Sequence, residues 1–468
     1  MREVADREAD QSRRGQISPQ PLAPPGLYTD PEDAASVNGT GRAARPTTER
    51  SARGRRMFRQ SRTVANGHHD RGGALSRPDI AARIGMSDGE LITDLAGAQA
   101  LAPEWDALAV LASNPVAGPA WVLSWWHHVA SAEIQPRLVA VRDRGRLVGV
   151  APFYVASVKR GVVEYRLMAS DFGVCMEPLA LPGREWDVAA EVARVLASCR
   201  PRPDVLAFGP MTLASHWTTA LSSGWPGPMR GMVRGYGVDG APVIVLRDSS
   251  FDAWFASLRS STRRSLRRNE RRFEEAGGTT RWSTTETLRA DAEAFSRLHG
   301  ERWEGRGCSR LANLGSRLPD WLEEVGRELI DEGRFRMCML EVGGSPICAD
   351  FHLIAGEVLA DINTGWDERY AKMAPAKLTV PRVVQEAYRH GCRRVHLGQG
   401  NHAYKLSFAN ANDPVAWTLV MPPSLRFPYT YGCVLPGLLR KRTRDAAERA
   451  LPAEWFEAAR IMRRRLRA

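Results

Sequence analysis

VLADINTGWDERYAKMAPAKLTVPRVVQEAYRHGCRRVHLGQGNHAYKLSF, residues 358–408, is the stretch whose reading decides the fold. Val358, Ala360 and Ile362 alternate with Leu359, Asp361 and Asn363, the period of a strand. A polar loop follows, and then a helix over Ala376–His390 that buries Leu378, Val384, Ala387 and Tyr388 and stops at Gly391. A second strand, Arg394–Leu397, runs into a glycine turn that leads to Tyr404 and Lys405. Such a strand–loop–helix–strand unit points backbone N–H groups at whatever sits at the helix N-terminus, a natural place for phosphate. The small residues Ala374, Pro375 and Ala376 let a pyrophosphate approach the backbone, and Lys372 and Lys377 can neutralise it. Gly398-Gln-Gly400 imitates a dinucleotide fingerprint. No long helix follows it and no acidic residue stands about 20 positions on, which excludes that site.

Upstream, Phe335–Val342, the turn Gly343-Gly344 and Pro346–Ala355 read as a hairpin. Ile347, Ala349, Phe351 and Leu353 alternate with Cys348, Asp350 and His352. If the neighbouring strands pair, Asp350, His352, Asp361 and Asn363 share the faces opposite the apolar set. A carboxylate and an imidazole in one cavity can take a proton from an amine or hydroxyl. A solvent-facing sheet surface would show the same alternation.

The same order of elements occurs earlier. Helical spacing at Trp105, Leu108 and Leu111 and at Ala120, Trp121, Trp125 and His128 precedes a hairpin, Pro136–Arg142 and Leu147–Val155. A strand (Val163–Leu167), a helix (Trp186–Ser198) and a strand (Val205–Phe208) complete that unit. The second unit opens with a helix capped by Ser249 or Ser250, then helices at Ser260–Ala276, Thr285–Glu304 and Leu318–Glu332. Helices, hairpin, strand, helix, strand therefore occur twice, over 85–240 and 241–430, the pattern of an internal duplication. The expected class is mixed α/β, with mostly antiparallel sheets and flanking helices.

Residues 1–84 are rich in Arg, Ser, Pro and Gly and read as a disordered arm; 431–468 read as a basic helical tail. That tail either packs its apolar side on the body or lies on an acidic membrane surface as a peripheral contact. A formal charge of +12 implies an anionic partner without naming it. Only five basic residues are lysines, and three of them, Lys372, Lys377 and Lys405, fall in the deciding stretch. The seven cysteines form no CxxC pair, and His68-His69 and His127-His128 lack nearby metal-ligand spacing, so no metal and reduced thiols are expected. No apolar run is long enough for a membrane span and the N-terminus lacks a signal-peptide core, so a cytoplasmic place is expected.

Helix 260–276 carries Arg263, Arg267 and Arg271 on one row and Arg264, Arg268 and Arg272 on the next. These rows repel unless an anion or acidic neighbours compensate. A diphosphate or nucleic-acid backbone would do so, and Glu270, Glu274 and Glu275 could do part of it.

SSTRRSLRRNERRFEEAGG (260–278), the stretch 333–378 and HLGQGNHAYKLSF (396–408) together resemble the CelD-like acetyltransferases of cellulose biosynthesis, in the GNAT superfamily near the FemABX-like branch. PAWVLSWWHHV (119–129) and GRLVGVAPFYV (145–155) resemble that family's first half. The resemblance implies tandem GNAT-like domains, acetyl-CoA or another acyl-CoA as donor, and an amine or hydroxyl acceptor on a polysaccharide or cell-envelope precursor, sugar or phosphorylated. It implies direct attack on the thioester, with Asp350 or His352 as base, Asp361 orienting, Tyr404 donating to the thiolate and Lys405 holding the carbonyl oxygen or an acceptor phosphate. Lys372, Lys377 and the Ala374–Ala376 backbone would hold the donor pyrophosphate, and Arg263, Arg264, Arg267 and Arg268 a substrate anion. Where the family carries glycine this chain has Ala376, whose stiffer backbone should resist close pyrophosphate approach. Two alternatives stand beside this: aminoacyl transfer from aminoacyl-tRNA, as in FemABX-like enzymes, and a GNAT-like binding module without catalysis.

Overall fold

The computed structural model describes residues 87–131, 134–173, 175–304 and 309–450. The expected arm, 1–84, and the tail beyond 450 lie outside the described residues. The first half runs β1 (Ser87–Ile92), α1 (Leu95–Leu111), α2 (Pro119–His128), β2 (Gln135–Asp143), β3 (Arg146–Lys159), β4 (Val162–Leu167), β5 (Leu179–Ala180), α3 (Glu185–Ser198), β6 (Val205–Thr212), α4 (Trp217–Gly224) and β7 (Met232–Asp239). The second half begins with β8 (Pro242–Val245), α5 (Phe251–Ser257), α6 (Ser260–Glu275), β9 (Gly278–Trp282), α7 (Leu288–Trp303) and α8 (Arg317–Leu329). It continues with β10 (Phe335–Val342), β11 (Ser345–Ala355), β12 (Val358–Trp366), α9 (Pro375–Arg389), β13 (Arg394–His396), α10 (Ala403–Leu406), β14 (Ala411–Asn412), β15 (Val415–Met421) and α11 (Phe427–Ala450).

Local chemistry sets several boundaries. Ser250 Oγ accepts from Ala253 N at 3.2 Å and starts α5, and Gly277 at φ 72° ends α6. Leu266, Asn269 and Phe273 are the buried side of α6, so its arginine rows face outward. α7 crosses β12 so closely that a Cβ on Gly365 would lie 2.8 Å from His299 N. Only glycine lets the two backbones meet there.

The strands form two sheets of mixed, mostly antiparallel pairing. One has the order β1-β2-β3-β4-β6-β15-β7, with β5 beside β3; the other is β9-β10-β11-β12-β13-β8-β14. Laid side by side, the two orders match strand for strand. Each contains one internal parallel pair, β4 with β6 and β12 with β13, joined across α3 and α9 respectively. The tandem arrangement is therefore real at the level of topology. It is not two beads on a string. β15, near the chain's end, inserts between β6 and β7 of the first sheet, while β8 belongs to the second. The order helix–hairpin–strand–helix–strand is as the sequence suggests; β1, β5, β7, β8, β9, β14 and β15 are additional.

One apolar core runs through both halves and includes Trp105, Trp121, Phe153, Trp321, Phe335 and Phe351. Trp121 of α2 and Trp321 of α8 stand with ring centroids 4.2 Å apart, and Trp321 Nε1 donates to the Trp121 carbonyl at 3.4 Å. Arg334 forks onto Asp106 at 2.6 and 2.9 Å, closing the same seam with a bidentate pair. A smaller core of Phe273, Cys338, Leu340, Ile347, Cys348, Trp366 and Leu378 holds α6 and α9 against the second sheet. The six described cysteines are free thiols, and no described helix is long and apolar enough to cross a membrane.

Candidate active site

Period-two alternation places Asp350 and His352 on one face of β11, and antiparallel pairing sets His352 opposite Asp361 of β12. Their ligand-type atoms all lie within 4.8 Å of one another. The fourth residue expected on this face, Asn363, is not there. The β11/β12 register shifts between Phe351 and His352, so Asn363 stands opposite Phe351 and Thr364 stands opposite Asp350. A bulge inserts one residue and flips the face of everything beyond it. Thr364 consequently takes the place expected for Asn363, and its Oγ1 donates to Asp350 Oδ1 at 2.9 Å.

Asp350 and His352 are fully buried, whereas Asp361 is half-buried. His352 Nδ1 donates to the Arg336 carbonyl at 3.1 Å, which leaves Nε2 aimed at Asp350 Oδ2, 3.4 Å away. The alignment falls short of a hydrogen bond, so the attraction is Coulombic. Burial opposes charge on both groups, yet the carboxylate holds the His352 pKa up and the imidazole, with Thr379 and Thr364, holds Asp350 down. Each group thus favours the charged form of the other.

Asp361 behaves differently. Burial first, and then the Asp350 charge, push it up to about 8, against the pull of His352 and Lys405. The sequence reading made Asp350 or His352 the base and Asp361 the orienting group; the structure brings all three together. Asp350 and His352 are sealed against each other, and Asp361 is the carboxyl that burial and the Asp350 charge push far above its ordinary range.

Lys405 comes from the far side. After β13 the chain turns at Gly398, φ 75°, and Gly400, φ 95°, and α10 brings Lys405 back so that Nζ donates to the Gln399 carbonyl at 2.9 Å. A Cβ on Gly398 would lie 3.5 Å from both Asp361 O and Lys405 Nζ, which locates the lysine beside β12. Tyr404 stacks on His402 with centroids 6.3 Å apart. Asp350, His352 and Asp361 have the donors of a divalent cation site, but Lys405 already supplies positive charge there and disfavours a metal.

The parallel ladder between β12 and β13 ends at Ala360–His396, while β12 runs on to Trp366. Among the described residues no strand pairs with that side of β12 beyond Ala360, so a free strand edge starts at Asp361. In the first half the corresponding ladder ends at Arg166–Ala207, and the next residue is Leu167. The polar trio therefore belongs to the second half alone.

At the other end of the unit, α9 starts without a capping side chain; Pro375 has no N–H and Lys377 N donates to the Ala374 carbonyl at 2.9 Å, which leaves the Ala376 amide for an anion. The residue with a strained backbone is Ala374, at φ 50° and ψ 62°, while Ala376 sits inside the helix. Ala376 is therefore unstrained, because helical φ suits alanine. α6 packs beside this loop: Arg272 Nη1 donates to the Lys372 carbonyl at 2.9 Å, and Arg268 and Arg264 continue the same helical row. Glu270 pairs with Arg382 of α9 at 2.6 Å and so turns away from that row. Arg263 donates to the Ala256 and Leu258 carbonyls, which ties it to α5. Arg264, Arg267 and Arg268 are exposed apart from such ties. Sequence reading missed Thr364, Thr379 and Arg336, whose approach to the trio depends on the bulge and on α9 packing; no local pattern marks them.

Residues 260–406, from α6 to α10, match the family described as an acetyltransferase (GNAT) domain. The chain thus carries a GNAT-family acyltransferase domain that contains the whole trio, Lys405 and the α9 N-terminus. No curated protein matches the chain. Solved structures similar to it include FemX, 11% identical with TM-score 0.48, covering 74% of this chain and 99% of that one. Another is the C-terminal domain of a putative lysylphosphatidylglycerol synthetase from Agrobacterium fabrum, 9% identical with TM-score 0.46, covering 73% and 97%. A tandem GNAT protein from the clavulanic acid biosynthesis pathway is 14% identical with TM-score 0.40, covering 72% and 100%.

Proposed function

We propose that the protein transfers an acyl group, acetyl foremost, from acyl-CoA to an amine or hydroxyl of a polysaccharide or cell-envelope precursor, in the manner of CelD-like enzymes. The observation that carries this reading is the free edge of β12, which begins at Asp361 with Lys405 beside it. An extended amide chain can add to such an edge by main-chain hydrogen bonds, and pantetheine offers one. Its pyrophosphate end then falls to the α9 N-terminus, Lys372, Lys377 and the Arg264–Arg268 row, where amides and guanidiniums complement negative charge. Acyl-CoA supplies an activated thioester carbonyl.

This chain's residues do the rest. Asp361, as carboxylate, accepts the proton of the attacking N–H or O–H as the new acyl bond forms. A base with a pKa near the operating pH suits that task. Lys405 Nζ faces the developing negative charge on the carbonyl oxygen. Tyr404 returns a proton to the departing thiolate as the C–S bond breaks. Asp350, His352, Thr364 and Thr379 fix the local field. The first half shapes the acceptor groove.

The exposed arginine row on α6 also suits a nucleic-acid backbone, which favours aminoacyl-tRNA as the alternative donor. Incubation with radiolabelled acetyl-CoA, or with aminoacyl-tRNA, and a polar extract of envelope precursors separates the readings. Label transfer from acetyl-CoA by the native chain, lost in Asp361→Asn, supports the proposal; transfer from aminoacyl-tRNA alone overturns it.

A further inference from the structure

The pair His127-His128 ends α2, and nothing near it in sequence suggests a ligand set. The fold supplies one from 196 residues away. Glu324 of α8 sets a single carboxylate oxygen, Oε2, 2.8 Å from His127 Nδ1 and 2.6 Å from His128 Nε2. We propose that His127, His128 and Glu324 form a binding site for a divalent late first-row metal ion, zinc above all.

Two imidazole nitrogens and a carboxylate oxygen are the mixed donor set that zinc takes when a water keeps the fourth position. The three ligand atoms converge within 4.8 Å of one another. Tetrahedral bonds of about 2.0–2.2 Å imply ligand separations of about 3.3 Å, so opening the present contacts by about 0.5–0.7 Å admits the ion. His127 is exposed by 61% and Glu324 by 31%, so both have room for that adjustment. Consecutive residues on a helix normally point about 100° apart. Here they use opposite ring nitrogens, Nδ1 and Nε2, to reach one point, and the ring centroids close to 4.4 Å.

Two features around the pair suit a cation, against Arg317, which donates to the Val129 carbonyl at 3.2 Å. The histidines lie in the last turn of α2, where the helix carries its partial negative charge. Glu328 follows Glu324 by one turn on the same face of α8. Because α2 belongs to the first half and α8 to the second, the ion would staple the seam already closed by Trp121 and Trp321. It lies apart from Asp350, His352 and Asp361 and takes no part in acyl transfer.

Cobalt(II) titration of the full chain tests this, since a tetrahedral site gives an intense visible band. The expected result is one such ion per chain, displaced by zinc. Glu324→Gln and His128→Ala should each weaken binding at least tenfold while far-ultraviolet circular dichroism stays unchanged. Asp361→Asn should bind as the native chain does, which excludes the catalytic trio as the source. Zinc should also raise the Tm of the native chain but not of Glu324→Gln. Absence of any bound cobalt, or binding that survives Glu324→Gln and His128→Ala, overturns the assignment.

Discussion

Asp361 concentrates the chemistry of this protein because it is the one member of the trio that is both half-buried and electrostatically frustrated. Its carboxyl is held near 8 by burial and by the Asp350 charge. If it is the base, kcat/KM should rise with pH through an apparent pKa near 8, and Asp361→Asn should lower kcat by roughly 10²–10⁴-fold. The same shift has a consequence for stability. Between the unfolded value near 3.8 and about 8 the folded chain holds a proton that the unfolded chain releases, so this contribution is full in acid and fades as pH rises. Asp361→Asn should therefore gain stability relative to the native chain at pH 8.5 and lose that advantage at pH 5, as urea unfolding at the two pH values will report. Asp350→Asn should do the opposite of a gentle change: it removes the carboxylate that faces the buried His352 ring and should cost about 3–5 kcal/mol. The spacing of Asp350, His352 and Asp361 was legible in the sequence, because period-two alternation needs only the strands to exist. Thr364 was not, because a bulge is an event between strands and leaves no mark in either one.

At the scale of elements, the β12–loop–α9 unit shows where backbone strain is stored. Ala374 occupies a left-handed conformation that costs an L-residue about 1–2 kcal/mol, and Ala376 is relaxed in the helix. Ala374→Gly is expected to stabilise the protein by up to about 1 kcal/mol, and Ala376→Gly to destabilise it by as much as about 1 kcal/mol without improving donor binding. Chemical denaturation of the two single variants measures both signs. The helix and its stop at Gly391 could be read from propensity and punctuation; its start lies one residue earlier than read, at Pro375. The direction of the arginine rows on α6 followed from Leu266 and Phe273. What could not be read is that Glu270 would be drawn off to Arg382, which leaves Arg264, Arg267 and Arg268 exposed.

Across the whole molecule the halves share a core and exchange positions in the two sheets, and this is what fixes the second half's site. The repeated order of elements was visible in the sequence because hydrophobic periodicity reports each element separately. The insertion of β15 into the first sheet was not, since Val415–Met421 is a plain apolar strand that would suit either sheet. Shared burial predicts shared unfolding. Trp321→Ala, which empties the seam opposite Trp121, should cost about 3–5 kcal/mol and lower a single cooperative transition, not melt one half and leave the other. Calorimetry on the variant distinguishes these, and two separated transitions would show that the halves are independent. The central claim is that the second half binds an acyl-CoA along β12 and α9, and a thermal-shift series on the full chain with acetyl-CoA, longer acyl-CoAs and tRNA tests it most directly. A ligand at a hundredfold its Kd adds about 2.7 kcal/mol of stability, so a clear rise in Tm with at least one CoA ester is predicted. No rise with any CoA ester at saturating concentration would contradict the account.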